Sequence, residues 1–193
     1  RNGRRDIDSY IMGTLFVDKL DPQSGTSLEI GSNGDTITIP SGCSITNSGT
    51  ATGFGFTPYG ASAYPSGTQS IPDTTYTKVT LATEYYDTNG EFADSRYTAG
   101  TAGNYLVSGS VGQNGEAATN VRLYALIYKN GSVLVQSDIP VPSGTEVTCP
   151  IAGIVVPLAQ NDYIELYFRH LKGSAMNING VPGGTYLNVL RVS

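Results

Sequence analysis

From Tyr76 onward, apolar positions recur every second residue in short runs, with Gly, Asn, Pro or Ser at the breaks. A period of two places alternate side chains on opposite faces of a β-strand. The clearest case is Arg122 to Ser137, RLYALIYKNGSVLVQS. Asn130-Gly131 supplies the positive φ angles of a two-residue primed turn, so the stretch predicts a hairpin. In its first strand Leu123, Ala125 and Ile127 share one face, and Tyr124, Leu126 and Tyr128 share the other. Both faces are apolar, whereas a sandwich strand ordinarily wets one side. The second face therefore needs a cover, and the simplest cover is another copy of the chain.

Further strands are predicted on the same grounds. TKVTLATEYYD (Thr77–Asp87) alternates and ends in the turn Thr88–Glu91. NYLVSGSV (Asn104–Val111) puts Tyr105, Val107 and Val111 on one side. After the hairpin comes Ile139–Gly144 with two prolines. IAGIVVPLAQ and YIELYFRHL then flank the turn Asn161-Asp162, and TYLNVLRV closes the chain. This makes about eight strands and no helix, the pattern of a sandwich or jelly roll.

The first part of the chain reads differently. Residues 1–25 contain Arg1, Arg4 and Arg5 and then a short apolar strand ending before Asp21-Pro22, which suits an arm that orders on docking, with a solvated, partly disordered end as the alternative. Within residues 26–53 the short strands SLEI, DTITI and CSIT repeat at about eight or nine residues, carrying Leu28, Ile30, Ile37, Ile39 and Ile45. Segments this short bury no face of their own, so a β-rod intertwined among several chains is expected, with a loop-rich linker as the alternative. Residues 54–72 combine Gly, Pro and Ser with Phe54, Phe56, Tyr59 and Tyr64, and read as an ordered joint. The head is expected at 73–193.

Composition supports β structure. The 193 residues include 24 Gly, 10 Pro, 13 Tyr and no Trp, and only 14% are charged. A net charge of −5 without a basic stripe argues against a nucleic-acid partner. No apolar run approaches the ~20 residues of a membrane-spanning helix, and none reads as a secretory leader's apolar core. Cys43 and Cys149 lie in different segments and are expected to be two small buried side chains rather than a disulfide framework.

Tyr76 to Ser193 resembles the jelly-roll trimers of the tumour-necrosis-factor and complement-globular-head superfamily. The residues that carry the resemblance are DTNGEF (Asp87–Phe92), TAGTAGNYLVSGSV (Thr98–Val111), LYALIYKNG (Leu123–Gly131), GIVVPLAQNDYIELYF (Gly153–Phe168) and TYLNVLRV. They span about 60% of the chain. The resemblance implies a homotrimer whose axis is lined by aromatics. Two departures stand out: a collagen stalk is absent, and no carboxylate cluster matches the calcium site of the complement proteins. Residues 14–53 instead resemble the β-rod repeats of bacteriophage tail and head fibres.

Candidate chemistry is sparse. The single histidine, His170, and Cys149 lack any activating motif for a nucleophile pair. Asp138, Glu146, Asp162 and Glu165 are the carboxylates available to a glycan-cleaving spike, which would need two at a defined separation. Asp87, Glu91 and Asp94 are oxygen donors for calcium only in the sense of being neighbours. Gly109, Gly112 and Gly115 precede no helix, so they cradle no phosphate. Asn130-Gly131-Ser132 fits a glycosylation sequon but is explained by its turn. No enzyme activity, cofactor or metal is expected.

These readings converge on an all-β virion fibre protein: an N-terminal β-rod followed by a tumour-necrosis-factor-like jelly-roll sandwich, homotrimeric. Tyr124, Leu126, Tyr128, Tyr163 and Tyr167 are the trimer-interface candidates, with an exterior carbohydrate platform as the rival role for the tyrosines. Gln113, Asn114, Glu116, Asn120, Lys172, Asn177 and Asn179 are the receptor-loop candidates, because their loops are polar and flank strands. The expected partners are other copies of the chain, other virion proteins through the arm, and a host-surface glycan or protein. Nucleic acid and membrane insertion are not expected. The alternatives are a capsid-bound decoration or head fibre, and a glycan-cleaving tail spike.

Overall fold

The computed structural model describes residues 20–22, 24–49, 59–114, 121–141 and 146–193. The chain divides into two compact units, Arg1–Ala51 and Thr52–Ser193. The expected arm up to residue 19, Phe54 and Phe56 of the joint, and Gly115, Glu116 and Asn120 lie outside the described residues.

In the first unit, residues 24–49 are a succession of bends and turns, with Gly25, Gly31, Gly34 and Gly42 all at positive φ. Their hydrogen bonds are local: Asp35 N donates to Ser32 O at 3.0 Å, and Cys43 N to Pro40 O at 3.1 Å. SLEI, DTITI and CSIT form no strand within the single chain, contrary to the expectation of strands there. Each segment has only one or two aliphatic side chains and, among the described residues, no partner with which to build a ladder. Leu28, Ile30, Ile37, Ile39 and Ile45 are accordingly between 44% and 61% exposed.

The second unit is built from strands. They are β1 (Gly60–Tyr64), β2 (Gln69–Ile71), β3 (Thr77–Lys78), β4 (Thr83–Asp87), β5 (Phe92–Ala93), β6 (Arg96–Thr98), β7 (Gly103–Gly112), β8 (Val121–Lys129), β9 (Ser132–Val141), β10 (Thr148–Leu158), β11 (Tyr163–His170), β12 (Met176–Ile178) and β13 (Tyr186–Arg191). No helix occurs among the described residues. One sheet has the order β10-β7-β13-β1-β4, and the other β5-β6-β11-β8-β9 with β3 also paired to β11. The named strand pairs are antiparallel. Chain order passes directly between the sheets after β3, β4, β6, β7, β9 and β10, and by way of β2 and β12 after β1 and β11, which is the jelly-roll path. A small ribbon of β2 and β12 closes one end.

The core follows from the alternation. Leu123, Ala125 and Ile127 of β8, Ile164, Leu166 and Phe168 of β11, Tyr105, Val107 and Val111 of β7, and Leu187 and Val189 of β13 are all buried in one cluster. Burying each larger aliphatic side chain contributes about 1.5–3 kcal/mol before entropy is counted. Asn130 and Gly131 take φ of 52° and 77°, as a primed hairpin turn requires.

The expected joint at 54–72 needs correction, because the sandwich already begins there. GASAY forms β1 between β13 and β4, with Ala61 and Ala63 buried. Small residues suit this position: a Cβ on Gly60 would lie 2.4 Å from the Val189 carbonyl oxygen. A strand of small residues lacks the bulky alternation that marks the others, so its sequence reads as an ordered joint rather than a strand.

Candidate binding faces

The outward side of the second sheet gathers the predicted tyrosines. On β11 the outward residues are Tyr163, Glu165, Tyr167 and Arg169. Across the ladder, Tyr128 opposes Glu165, Leu126 opposes Tyr167 and Tyr124 opposes Arg169. Lys78 of β3 opposes Tyr167 on the other flank. Tyr128 and Tyr167 stack with centroids 4.0 Å apart. The Arg96 guanidinium lies 4.0 Å over the Tyr163 ring, and that of Arg169 lies 5.1 Å from Tyr76 and 5.3 Å from Tyr124.

At the centre sits Glu165, only 3% exposed although it points away from the core. Its Oε1 accepts from Lys78 Nζ at 2.8 Å and Arg96 Nε at 2.9 Å. Burial alone would raise the Glu165 pKa, but these two hydrogen bonds and the charges behind them hold it below the usual range. Burial raises the Tyr128 and Tyr167 phenols. Leu126 is fully buried within the single chain. It is therefore unavailable as fresh interface area, because the surrounding tyrosines and arginines cover this face from within. That cover was invisible in β8 alone, since Tyr167 comes from β11.

The outward side of the first sheet carries apolar groups that the sequence reading did not single out. Leu106 pairs with Leu190 on one side and Val155 on the other, making a row across three strands. Leu106 is 38% exposed and Val155 61%, and Leu190 is half-buried. Further along the same face Ser62 Oγ donates to Asn188 Oδ1, and Tyr64 packs on Tyr85 at 4.5 Å. Between the edge strands β9 and β10 runs an open groove lined by Val135, Gln136, Ser137, Pro150, Ile151, Ala152 and Ile154.

The receptor-loop candidates divide. Asn114 N donates to Asn177 O at 2.9 Å, and both residues are exposed, so the structure brings the two loops together at one end. Gln113, by contrast, is 2% exposed and bridges Ile178, which removes it as a contact residue. The half-buried Asn179 is structural: its N donates to Gly112 O and its Oδ1 accepts from Val181 N. Lys172 is half-buried, and its backbone N donates to His170 Nδ1 at 3.3 Å.

Of the remaining candidates, Glu146 and Asp94 are exposed, and the others are committed to structural bonds. Asp162 Oδ2 meets Lys129 Nζ at 2.8 Å, and its carboxylate also accepts from Asn130 and from Ala159 N. Those bonds, led by Lys129, lower its pKa to about 2. Asp138 pairs with Arg122. Asp87 accepts from the backbone N of Asn89, Glu91 and Phe92, and Glu91 accepts from Tyr97 Oη and Gly100 N. Among the described residues no group of three or more His, Cys, Asp or Glu is placed to hold a metal. Cys149 is buried against Leu123 and Ser137, and burial raises its thiol pKa. His170, also buried, has Nε2 3.0 Å from Ile71 O and Nδ1 3.4 Å from Asp73 Oδ1.

No family profile matches the chain, and no curated protein matches it in sequence. Solved structures do match in shape. A structure of murine APRIL at pH 5.0 aligns with a TM-score of 0.56 at 16% identity, covering 70% of this chain and 100% of that one. The fold is a tumour-necrosis-factor-like jelly roll. The Eiger TNF of S. frugiperda aligns with a TM-score of 0.55 at 10% identity, covering 70% of this chain and 93% of that one. The globular domain of zebrafish complement 1qA aligns at 0.49 and 12% identity, covering 70% of this chain and 98% of that one. At these identities the likeness concerns the fold, and the jelly-roll expectation from the sequence agrees with it.

Proposed function

We propose that this chain is a homotrimeric fibre protein of a bacteriophage-type virion, with residues 26–53 as an intertwined rod and the jelly roll as a head that binds the host cell surface. One observation carries the reading: five aliphatic side chains of residues 28–45 stand between 44% and 61% exposed, in a segment with no strand partner among the described residues. Apolar groups spaced this way gain cover only if further copies pair with them. The head offers a matching surface, since Leu106, Val155 and Leu190 present an uncovered apolar row on the first sheet. Three heads held together present three identical loop ends, so weak contacts add by avidity.

The action is binding rather than hydrolysis. A glycan-cleaving pair needs one carboxyl group kept protonated. Glu165 and Asp162 are instead both held ionised by cations, and Asp138 is paired with Arg122. Attachment to the virion is assigned to the arm before residue 25. Hydrogen exchange on the assembled protein tests the rod. The expected result is slow exchange of the amides of SLEI, DTITI and CSIT. Fast exchange of those amides in the assembled protein would refute the intertwined rod.

A further inference from the structure

We propose that the outward face of the second sheet is a binding platform for a carboxylate-bearing saccharide. This deepens the cell-binding reading above and rests on it, by naming the ligand class and the residues that take it.

Geometry supplies the first argument. Tyr76, Tyr124, Tyr128, Tyr163 and Tyr167 are interleaved with Lys78, Arg96 and Arg169 over β3, β6, β8 and β11. Partly exposed rings with hydroxyl rims offer apolar area for sugar C–H surfaces and polar edges for sugar hydroxyls. Tyr76 is 48% exposed, and Arg169 reaches toward its ring.

The second argument is charge. Four cations, Lys78, Arg96, Arg122 and Arg169, share this face with two carboxylates, Glu165 and Asp138, a surplus of two on a chain of net charge −5. Local positive charge on an acidic protein selects an anionic ligand.

Pre-organisation is the third. Buried Glu165 holds Arg96 through Nε alone, and the Thr74 carbonyl holds Arg169 through Nε at 3.0 Å. A guanidinium has five N–H donors in a fixed fork, so each retains its terminal donors for bidentate recognition of a carboxylate. Glu165 and Arg169 lie four residues apart on one strand, about 13 Å, so an extended oligosaccharide spans both arginines.

A second copy of the chain fits this face less well. A symmetric contact would set surplus cations against surplus cations and desolvate them.

The test titrates the full chain with 3′-sialyllactose, a hyaluronan hexasaccharide and digalacturonic acid, using lactose as the neutral control. At least one acidic sugar is expected to bind about 10-fold more tightly than lactose, and about 0.5 M sodium chloride should weaken that binding. Arg169→Gln should lose about 10-fold for the acidic sugar and leave lactose unchanged, and Arg96→Gln should do the same for the hyaluronan hexasaccharide, whose repeated carboxylates reach both arginines. Arg169→Gln leaves the Glu165 pairs in place, so it remains informative if Arg96→Gln fails to fold. No preference for any acidic sugar, or an Arg169→Gln variant that binds like wild type, overturns the platform. Light scattering on the same samples separates the two readings. A trimer that binds no acidic sugar removes the platform alone, whereas a monomer that binds one supports the platform and removes the trimer. If Arg169→Gln dissociates the trimer, the face is an interface between copies and the proposal is wrong.

Discussion

Replacing Glu165 with Gln removes one charge and almost no volume from the centre of the tyrosine face. In the folded chain Glu165 is 3% exposed and accepts two charge-assisted hydrogen bonds, from Lys78 at 2.8 Å and Arg96 at 2.9 Å. Breaking one partner of a buried ion pair costs about 3–5 kcal/mol when the charge left behind stays buried. Here the Lys78 and Arg96 side chains are 29% and 41% exposed, so water recovers part of their solvation, and the amide oxygen still accepts one bond. The expected loss is therefore smaller, about 1.5–3 kcal/mol. For a domain of this size that lowers Tm by about 4–9 °C, read by thermal unfolding at fixed protomer concentration, since assembly also shifts Tm. Acidity supplies an internal control. The folded-state pKa of Glu165 is depressed, so its contribution is complete above the unfolded carboxylate value of about 4.3 and is lost as pH falls through the lower folded value. The Tm gap between wild type and Glu165→Gln should be full at neutral pH, begin to narrow below about pH 4.3 and close once pH has fallen through the lower folded value. An unchanged or higher Tm at neutral pH, or a gap that persists in acid, would refute the reasoning.

Two further perturbations test separate parts of the account. Val155→Asp puts a charge in the exposed apolar row of the first sheet; light scattering should show dissociation, while the fold changes by no more than about 0.5 kcal/mol because the site is at the surface. A variant that keeps its full assembled mass would move the contact elsewhere. With iodoacetamide the exposed Cys43 should be alkylated in the native protein, whereas Cys149, whose thiol burial pushes up, should react only after unfolding. Equal labelling of both would contradict the packing of β10.

The sequence showed the second unit's architecture wherever local chemistry decides structure. Asn130-Gly131 between alternating runs can be little else than a primed hairpin, and the faces of β8 followed directly from its period. What covers the outer face of β8 was not legible. Tyr167 is far from Leu126 in sequence, and only the sheet order sets it beside Leu126, stacked on Tyr128. β1 was missed because GASAY packs by being small rather than by alternating in size. Gln113 looked like a loop residue from its polarity, yet its backbone bridge to Ile178 buries it. Leu106 and Val155 could not be told from core residues, since β7 and β10 are apolar on both faces over part of their length. In residues 26–49 the alternation is real, but these residues form no strand with any described residue, so pattern alone predicted strands that the structure does not have.

The central claim is that exposed aliphatics in the first unit and on the first sheet are covered by further copies of the chain. Light scattering of the full-length protein at micromolar concentration tests it most directly. The account predicts a single species of three times the chain mass, undiminished on dilution. A species of one chain mass would contradict it, leaving a lone jelly roll with an uncovered apolar row.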